Sequence, residues 1–209
     1  MKKPKINIKA VLLVIILLTA FSVPVTAKGK EVINVGPAYK ILESILPIEC
    51  YINGVYSQGS GFVIEGKVFV TNYHVAGGGR DIKINGESID SDKVIFSNEQ
   101  LDLMAFQLES GTPLSYNTKL PTVGEEVYAI GYPRNRLKVS TGSIITTFKK
   151  YGLQMIFSNV STDHGSSGGV LLNRQGEVIG ITSRISANKK ITESIPISYV
   201  ISEIEKRGA

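Results

Sequence analysis

A rhythm of short apolar runs constrains this chain more than any other feature. IECYIN, GSGFVIEG, KVFVTN, IKING, KVIFS and LDLMAFQL follow one another from residue 48, most of them closed by Gly, Asn or Ser. The stretch ESGTPLSYNTKLPTVGEE, with two prolines and two glycines, interrupts the series. A second series follows: VYAIGY, KVSTGSIITTF, LQMIFSNV, GVLLN, EVIGITS and KKITESIPI. Apolar runs of roughly four to eight residues between turn residues read as strands, since a stable helix needs a longer periodic segment. Two sets of six therefore predict an all-β fold, closed into barrels or layered as a sandwich, with halves at about 45–110 and 123–196. Helical spacing is confined to the ends. AYKILESIL reads as a short N-terminal helix, and SYVISEIEKRG, with Tyr199, Val200, Ile201 and Ile204 on one face, as a C-terminal helix over 197–207.

The first 27 residues have another character. Lys2, Lys3, Lys5 and Lys9 precede an apolar stretch from Ala10 to Phe21, Pro24 breaks it, and Val25-Thr26-Ala27 presents the small residues a signal peptidase accepts. The apolar stretch falls short of the roughly 20 residues that span a bilayer. This favours a cleaved signal peptide at 1–27 over a retained membrane anchor, and an extracytoplasmic or secreted domain at 28–209. Formal net charge is +5, but the 23 basic residues include the four leader lysines, leaving 19 against 18 acids, or +1. That balance is no footprint for nucleic acid, and nothing after the leader calls for a membrane partner. Cys50 is the single cysteine, so no intramolecular disulfide can form and the domain must be held by its core.

Hydrolysing an amide with a serine takes a base for the hydroxyl proton, a carboxylate to orient that base and donors for the oxyanion. With two histidines in the chain, the base is His74 or His164. His74 stands in KVFVTNYHVAGGG, where a strongly apolar strand runs into a turn; a satisfied structural histidine is the alternative. Among the acids Asp102 is distinctive, because apolar residues flank it in QLDLMAFQL. A carboxylate there is either paired or turned outward at the start of a strand. Ser166 and Ser167 lie between Gly165 and Gly168-Gly169. Glycines permit a tight turn whose N–H groups converge on one point, although Gly- and Ser-rich turns also occur with no such role.

Taken together, VTNYHV, LDLMAFQL and GSSGGVL, in this order, resemble the His, Asp and Ser segments of trypsin-like serine proteases. They are most similar to the bacterial HtrA/Do-like and glutamyl-endopeptidase branches. GYP at 131–133, GITS at 180–183 and SIPISYV at 194–200 resemble segments of the second barrel in those families, so the similarity covers about residues 45 to 205. The resemblance implies two six-stranded antiparallel β-barrels with a cleft between them. It implies His74 as general base, Asp102 as its orienting partner and Ser167 as nucleophile, with the N–H groups of Gly165 and Ser167 as oxyanion hole. Substrate would pair with the edge Ser183-Arg184-Ile185, above a specificity pocket lined near Ser161 and Thr162, by the Ser183 edge and by the Glu193-Ser194 strand, with His164 at its rim or simply in solvent.

Departures from the pattern narrow the expectation. Ser166 stands where an Asp or Asn commonly precedes the nucleophile, so activation by a newly cut N-terminus is not expected. Val170 replaces a frequent proline. Thr182 stands where glutamyl endopeptidases usually carry a histidine, and Ser161 where basic specificity needs an aspartate. A small or medium uncharged side chain is the expected fit. Two histidines and one cysteine make no common zinc site, ESIDSD lacks the pattern of a calcium loop, and GGG at 77–79 lacks the Lys-Ser/Thr of a phosphate cradle. No cofactor is called for, and the remaining length leaves no room for a PDZ-like extension. The sequence thus points to an exported serine endopeptidase acting on polypeptides, with a silent, binding-only relative as the alternative.

Overall fold

The computed structural model describes residues 36–150, 152–186 and 190–208. The proposed signal peptide at 1–27 lies outside them. A short helix, α1 (Gly36–Glu43), enters the first half of the fold. It ends earlier than the apolar spacing predicts: the Ser44 hydroxyl donates to the Lys40 carbonyl (2.7 Å), and strand β1 (Ile45–Ile52) begins at the next residue.

β2 (Val55–Ile64), β3 (Val68–Thr71), β4 (Arg80–Ile84), β5 (Glu87–Ser88), β6 (Val94–Asn98) and β7 (Leu103–Gln107) complete an antiparallel sheet in the order β5-β4-β1-β2-β3-β7-β6. Six strands were expected here and seven are found. The addition is β5, produced by Asn85-Gly86, whose φ values of 52° and 82° turn the chain straight back onto β4. The sheet curls as a half-barrel, but no pairing joins β5 to β6, so its ends stay open.

The second half holds the six strands expected: β8 (Glu126–Gly131), β9 (Lys138–Lys150), β10 (Leu153–Ser158), β11 (Val170–Leu172), β12 (Val178–Ile185) and β13 (Thr192–Pro196). They close into a barrel in the order β10-β13-β12-β11-β8-β9. β9 makes closure possible by pairing with β8 up to Ser143 and with β10 from Ile144 onward. Val127, Ala129, Ile144, Ile156, Val160, Leu171 and Ile179 fill its interior.

A larger apolar cluster joins the halves, with Phe62, Val70 and Leu103 from the first sheet packed with Ile130, Val170 and Ile181 from the second. The terminal helix, α2 (Ile197–Glu205), buries Ile197 and Val200 in that cluster, while Tyr199, Ile201 and Ile204 pack at its edge. Its Glu203 carboxylate, 5% exposed, is held by Lys206 and Arg207. Among the described residues no helix is long and apolar enough to cross a membrane.

Candidate active site

His74 sits on a single helical turn, Tyr73–Ala76, directly after β3. Burial of all four β3 residues fixes the strand, and the turn then carries the imidazole out of the core with its side chain 44% exposed. Asp102 approaches from the turn before β7 in a left-handed conformation, φ 56°, which a non-glycine residue adopts at some cost. Its carboxylate repays that strain in hydrogen bonds. His74 Nδ1 lies 2.9 Å from both Asp102 oxygens, and the His74 backbone N–H donates to Oδ1 at 3.0 Å. The Asn72 amide donates to the Asp102 carbonyl at 2.9 Å, steadying the backbone beneath.

The Ser183 hydroxyl, from the second barrel, donates to Asp102 Oδ2 at 2.7 Å. Ser183 was expected as part of a substrate-pairing edge, yet its side chain orients the acid. The cause is a register shift in β12 between Thr182 and Arg184, which re-aims the residue in between. Burial pushes the Asp102 carboxyl up, but the His74 ring, the His74 N–H and the Ser183 hydroxyl outweigh it and hold the group below its ordinary value.

Ser167 Oγ donates to the Ser183 carbonyl at 3.1 Å. Ser183 thus touches both groups, Asp102 through its hydroxyl and Ser167 through its carbonyl, while no hydrogen bond joins Ser167 Oγ to the imidazole among the described residues. The turn that carries Ser167 is pinned from both halves of the fold. Thr182 Oγ1 donates to the Ser166 carbonyl (2.6 Å), and Gly168 N–H to the Thr182 carbonyl (2.8 Å). Ser60, fully buried on β2, donates its N–H to the Ser167 carbonyl (2.8 Å) and its hydroxyl to the Gly165 carbonyl (2.7 Å). The same hydroxyl accepts the Tyr132 N–H at 2.7 Å.

With its carbonyls committed in this way, the turn leaves the N–H groups of Gly165 and Ser167 without an acceptor among the described residues. Gly165 has φ 93°, which strains any side chain, and a β-carbon there would crowd the Pro133 Cα at 3.1 Å. Ser166 turns inward: its hydroxyl accepts the Asp163 N–H (3.2 Å), and its own N–H donates to the Asp163 carbonyl (2.9 Å).

A cleft of about 270 Å³ opens beside Ser167. Thr162, His164, Ser183, Arg184 and Ile185 line it, with His164 exposed at the rim. Ser161 does not line it; that residue is exposed, and its carbonyl accepts the Ser140 hydroxyl. Nor do Glu193 and Ser194. Glu193 is paired with Lys150 (2.6 Å), Ser194 is buried, and Thr192 takes their place in the lining. Thr162 and Thr192 share a hydrogen bond of 2.9 Å at the cleft wall. Ser60 and Asn72 were not singled out in the sequence. GSG beside a strand was the one available signal for Ser60, and it reads equally well as a turn.

Two β-rich halves thus meet at the cleft, one bearing a hydrogen-bonded His–Asp pair and the other a serine on a glycine-flanked turn. Comparison with known proteins is more specific: the trypsin-like peptidase domain family matches residues 59–181, and the chain belongs to that family. It is 31% identical over 188 residues to the serine protease HTRA1A of Danio rerio, covering 75% of this chain and 37% of that one. To the periplasmic pH-dependent serine endoprotease DegQ of Escherichia coli it is 32% identical over 145 residues, 62% of this chain and 31% of that one. It is also 31% identical over 179 residues to the anti-sigma-I factor RsgI9 of Acetivibrio thermocellus, 79% of this chain but 25% of that protein. The chain therefore spans between 25% and 37% of the length of these three relatives. Among solved structures, the Rv3671c protease from M. tuberculosis in its active form matches with a TM-score of 0.74 and 19% identity over 90% of each chain. The serine endoprotease from Yersinia pestis matches with a TM-score of 0.70 and 22% identity over 89% of this chain and 68% of that one. At these identities the two structures bear on the fold alone.

Proposed function

We propose that this protein is an exported serine endopeptidase that cleaves polypeptides through an acyl-enzyme, with His74, Asp102 and Ser167 as its triad. The observation that carries the reading is the hydrogen-bonded set His74–Asp102–Ser183, assembled from both halves of the fold beside the glycine-flanked turn of Ser167. Beyond Ile181, the last β12 residue paired with β11, the segment Ser183–Ile185 has a side free to take an extended peptide as an added strand. A substrate held there brings its scissile carbonyl to Ser167. The Ser167 hydroxyl leaves the Ser183 carbonyl, gives its proton to His74 Nε2, and its oxygen adds to the carbonyl carbon. Asp102 accepts the hydrogen bond of Nδ1–H and stabilises the imidazolium, while the N–H groups of Gly165 and Ser167 donate to the oxyanion. Collapse of the tetrahedral species breaks the C–N bond as His74 passes the proton to the leaving amine. Water repeats the sequence on the ester and restores Ser167.

The Ser167–Ser183 hydrogen bond favours a second reading, in which the serine is held away from its base and the cleft only binds. Intact-mass analysis after a fluorophosphonate probe separates the two. A single adduct on the wild-type protein, absent from Ser167→Ala and His74→Ala variants of unchanged melting temperature, is the expected result. No adduct on folded wild type would overturn the endopeptidase reading.

A further inference from the structure

A second cavity, of about 450 Å³, lies beside the nucleophile turn and plays no part in the chemistry above. Pro133, Arg134, Arg136, Leu137, Lys138 and Asp163 line it, which sets three cations against one carboxylate. Lys138 already holds Asp163 at 2.9 Å. Arg134 and Arg136 are exposed, and among the described residues neither guanidinium has an ion-pair or hydrogen-bond partner. The loop that presents them is strained and braced. Arg134 and Asn135 are both left-handed, at φ 52° and 57°, and the Gln58 amide ties the loop to β2 through the Tyr132 carbonyl (3.2 Å) and Asn135 Oδ1 (2.9 Å). Consecutive left-handed non-glycine residues are disfavoured and persist where the surroundings hold them, a pattern that clusters at functional sites.

The position of the cavity gives these arginines their meaning. It shares Asp163 alone with the cleft beside Ser167, so the two flank the turn over 163–167 on different sides. The loop backbone packs directly on Gly165, the residue proposed as an oxyanion donor. Ser183–Ile185 line the cleft and not this cavity, so the loop packed on Gly165 stands beyond Ser167 from the peptide-pairing edge. From this geometry we infer that Arg134 and Arg136 form a subsite for a carboxylate side chain, Asp or Glu, on the leaving-group side of the scissile bond. Guanidinium suits the task because its planar fork meets a carboxylate in paired, charge-assisted hydrogen bonds. The substrate class is then polypeptides with an acidic residue shortly after the cleavage point.

This inference rests on the endopeptidase reading, and its test separates the two. Cleavage sites mapped in casein supply a parent peptide, which is remade as internally quenched pairs carrying Glu or Gln at each of the first three positions after the cut. At one of these positions Glu is expected to raise kcat/KM about fivefold over Gln, the scale of one well-placed exposed ion pair. The preference should fall below about twofold in an Arg134→Ala/Arg136→Ala variant and invert in favour of Gln in Arg134→Glu/Arg136→Glu. Equal rates for the Glu and Gln peptides in wild type, or a preference that survives loss of both arginines, would overturn the subsite. If no peptide is cleaved, the endopeptidase reading fails, and binding still decides the pocket. Anisotropy of fluorescein-labelled alanine peptides ending in three Glu or three Gln, measured on Ser167→Ala with and without the arginines, must show the same arginine-dependent difference or the inference is wrong.

Discussion

The two halves of the molecule solve closure differently. The second is a complete six-stranded barrel around its own core, whereas the first is a seven-stranded sheet with open ends. The open half contributes His74 and Asp102, the proposed base and acid, together with Ser60, all near the face that meets the barrel. The closed half contributes the nucleophile turn, Ser183 and the cleft. Neither half holds the proposed site alone. Asp102 needs the Ser183 hydroxyl from across the interface, and the turn carrying Ser167 needs Ser60. The lesson is that catalytic geometry in this fold belongs to the interface, where a rigid barrel is registered against a curled sheet by a shared apolar cluster and a handful of buried polar bonds.

Asp102 is where that arrangement breaks most completely. Asp102→Asn keeps the shape but not the charge, leaving the His74 ring without an anion to orient its tautomer and stabilise the imidazolium. A fall in kcat of about 10⁴-fold, with KM little changed, is expected in steady-state kinetics on a peptide substrate. A loss below about tenfold would show that Asp102 is not the orienting acid.

Ser60→Ala tests the other half of the interface. Losing the hydroxyl strands the Tyr132 N–H and the Gly165 carbonyl inside the protein while leaving the Ser60 backbone bond to Ser167 in place. A destabilisation of about 1–3 kcal/mol follows from unmet buried polar groups, or roughly 2–12 °C in Tm for a domain of this size. Because the slackened peptide borders the oxyanion donors, kcat should fall by about 10- to 100-fold with KM nearly constant, on the scale of losing part of an oxyanion hole. Equal kcat with a lowered Tm would assign Ser60 to stability alone.

The smallest effect is on acid stability. Asp102 titrates below its ordinary value in the folded protein, so the unfolded chain takes up the proton first as pH falls. Its contribution is therefore fully present above the unfolded value of about 3.9 and is lost as pH drops through the lower folded value. The Tm of wild type should decline in that window more steeply than that of Asp102→Asn, as followed by calorimetry from pH 6 to about pH 2.5. Parallel curves would mean that the hydrogen bonds around this carboxylate add nothing to folding.

Much of this was legible in the chain itself. Alternating apolar runs and turn residues specify strands through local sterics and burial, and the second series, VYAIGY to KKITESIPI, yields the six strands of the closed barrel. The order of VTNYHV, LDLMAFQL and GSSGGVL marked out His74, Asp102 and Ser167, which the structure brings together around Ser183. Local rules also misled. The Asn85-Gly86 turn was visible, but the two-residue strand after it carries no apolar signal and exists only because β4 offers it a partner. The resemblance pointed to the neighbourhood of the cleft, but barrel register, a long-range property, decides that Thr192 rather than Glu193 or Ser194 faces the opening.

Sequence by itself determined the strand-rich class, the two-part organisation and the chemical types in the site, since these follow from side-chain periodicity and from what amide hydrolysis demands. Tertiary structure alone decided that Ser183 would reach across to Asp102, that Ser60 would bind both flanks of the nucleophile turn, and that Arg134 and Arg136 would border a cavity beside it. Ser60 and Ser167 are separated by more than a hundred residues of chain and joined by 2.8 Å of hydrogen bond, and no local pattern encodes a contact made only when two sheets pack.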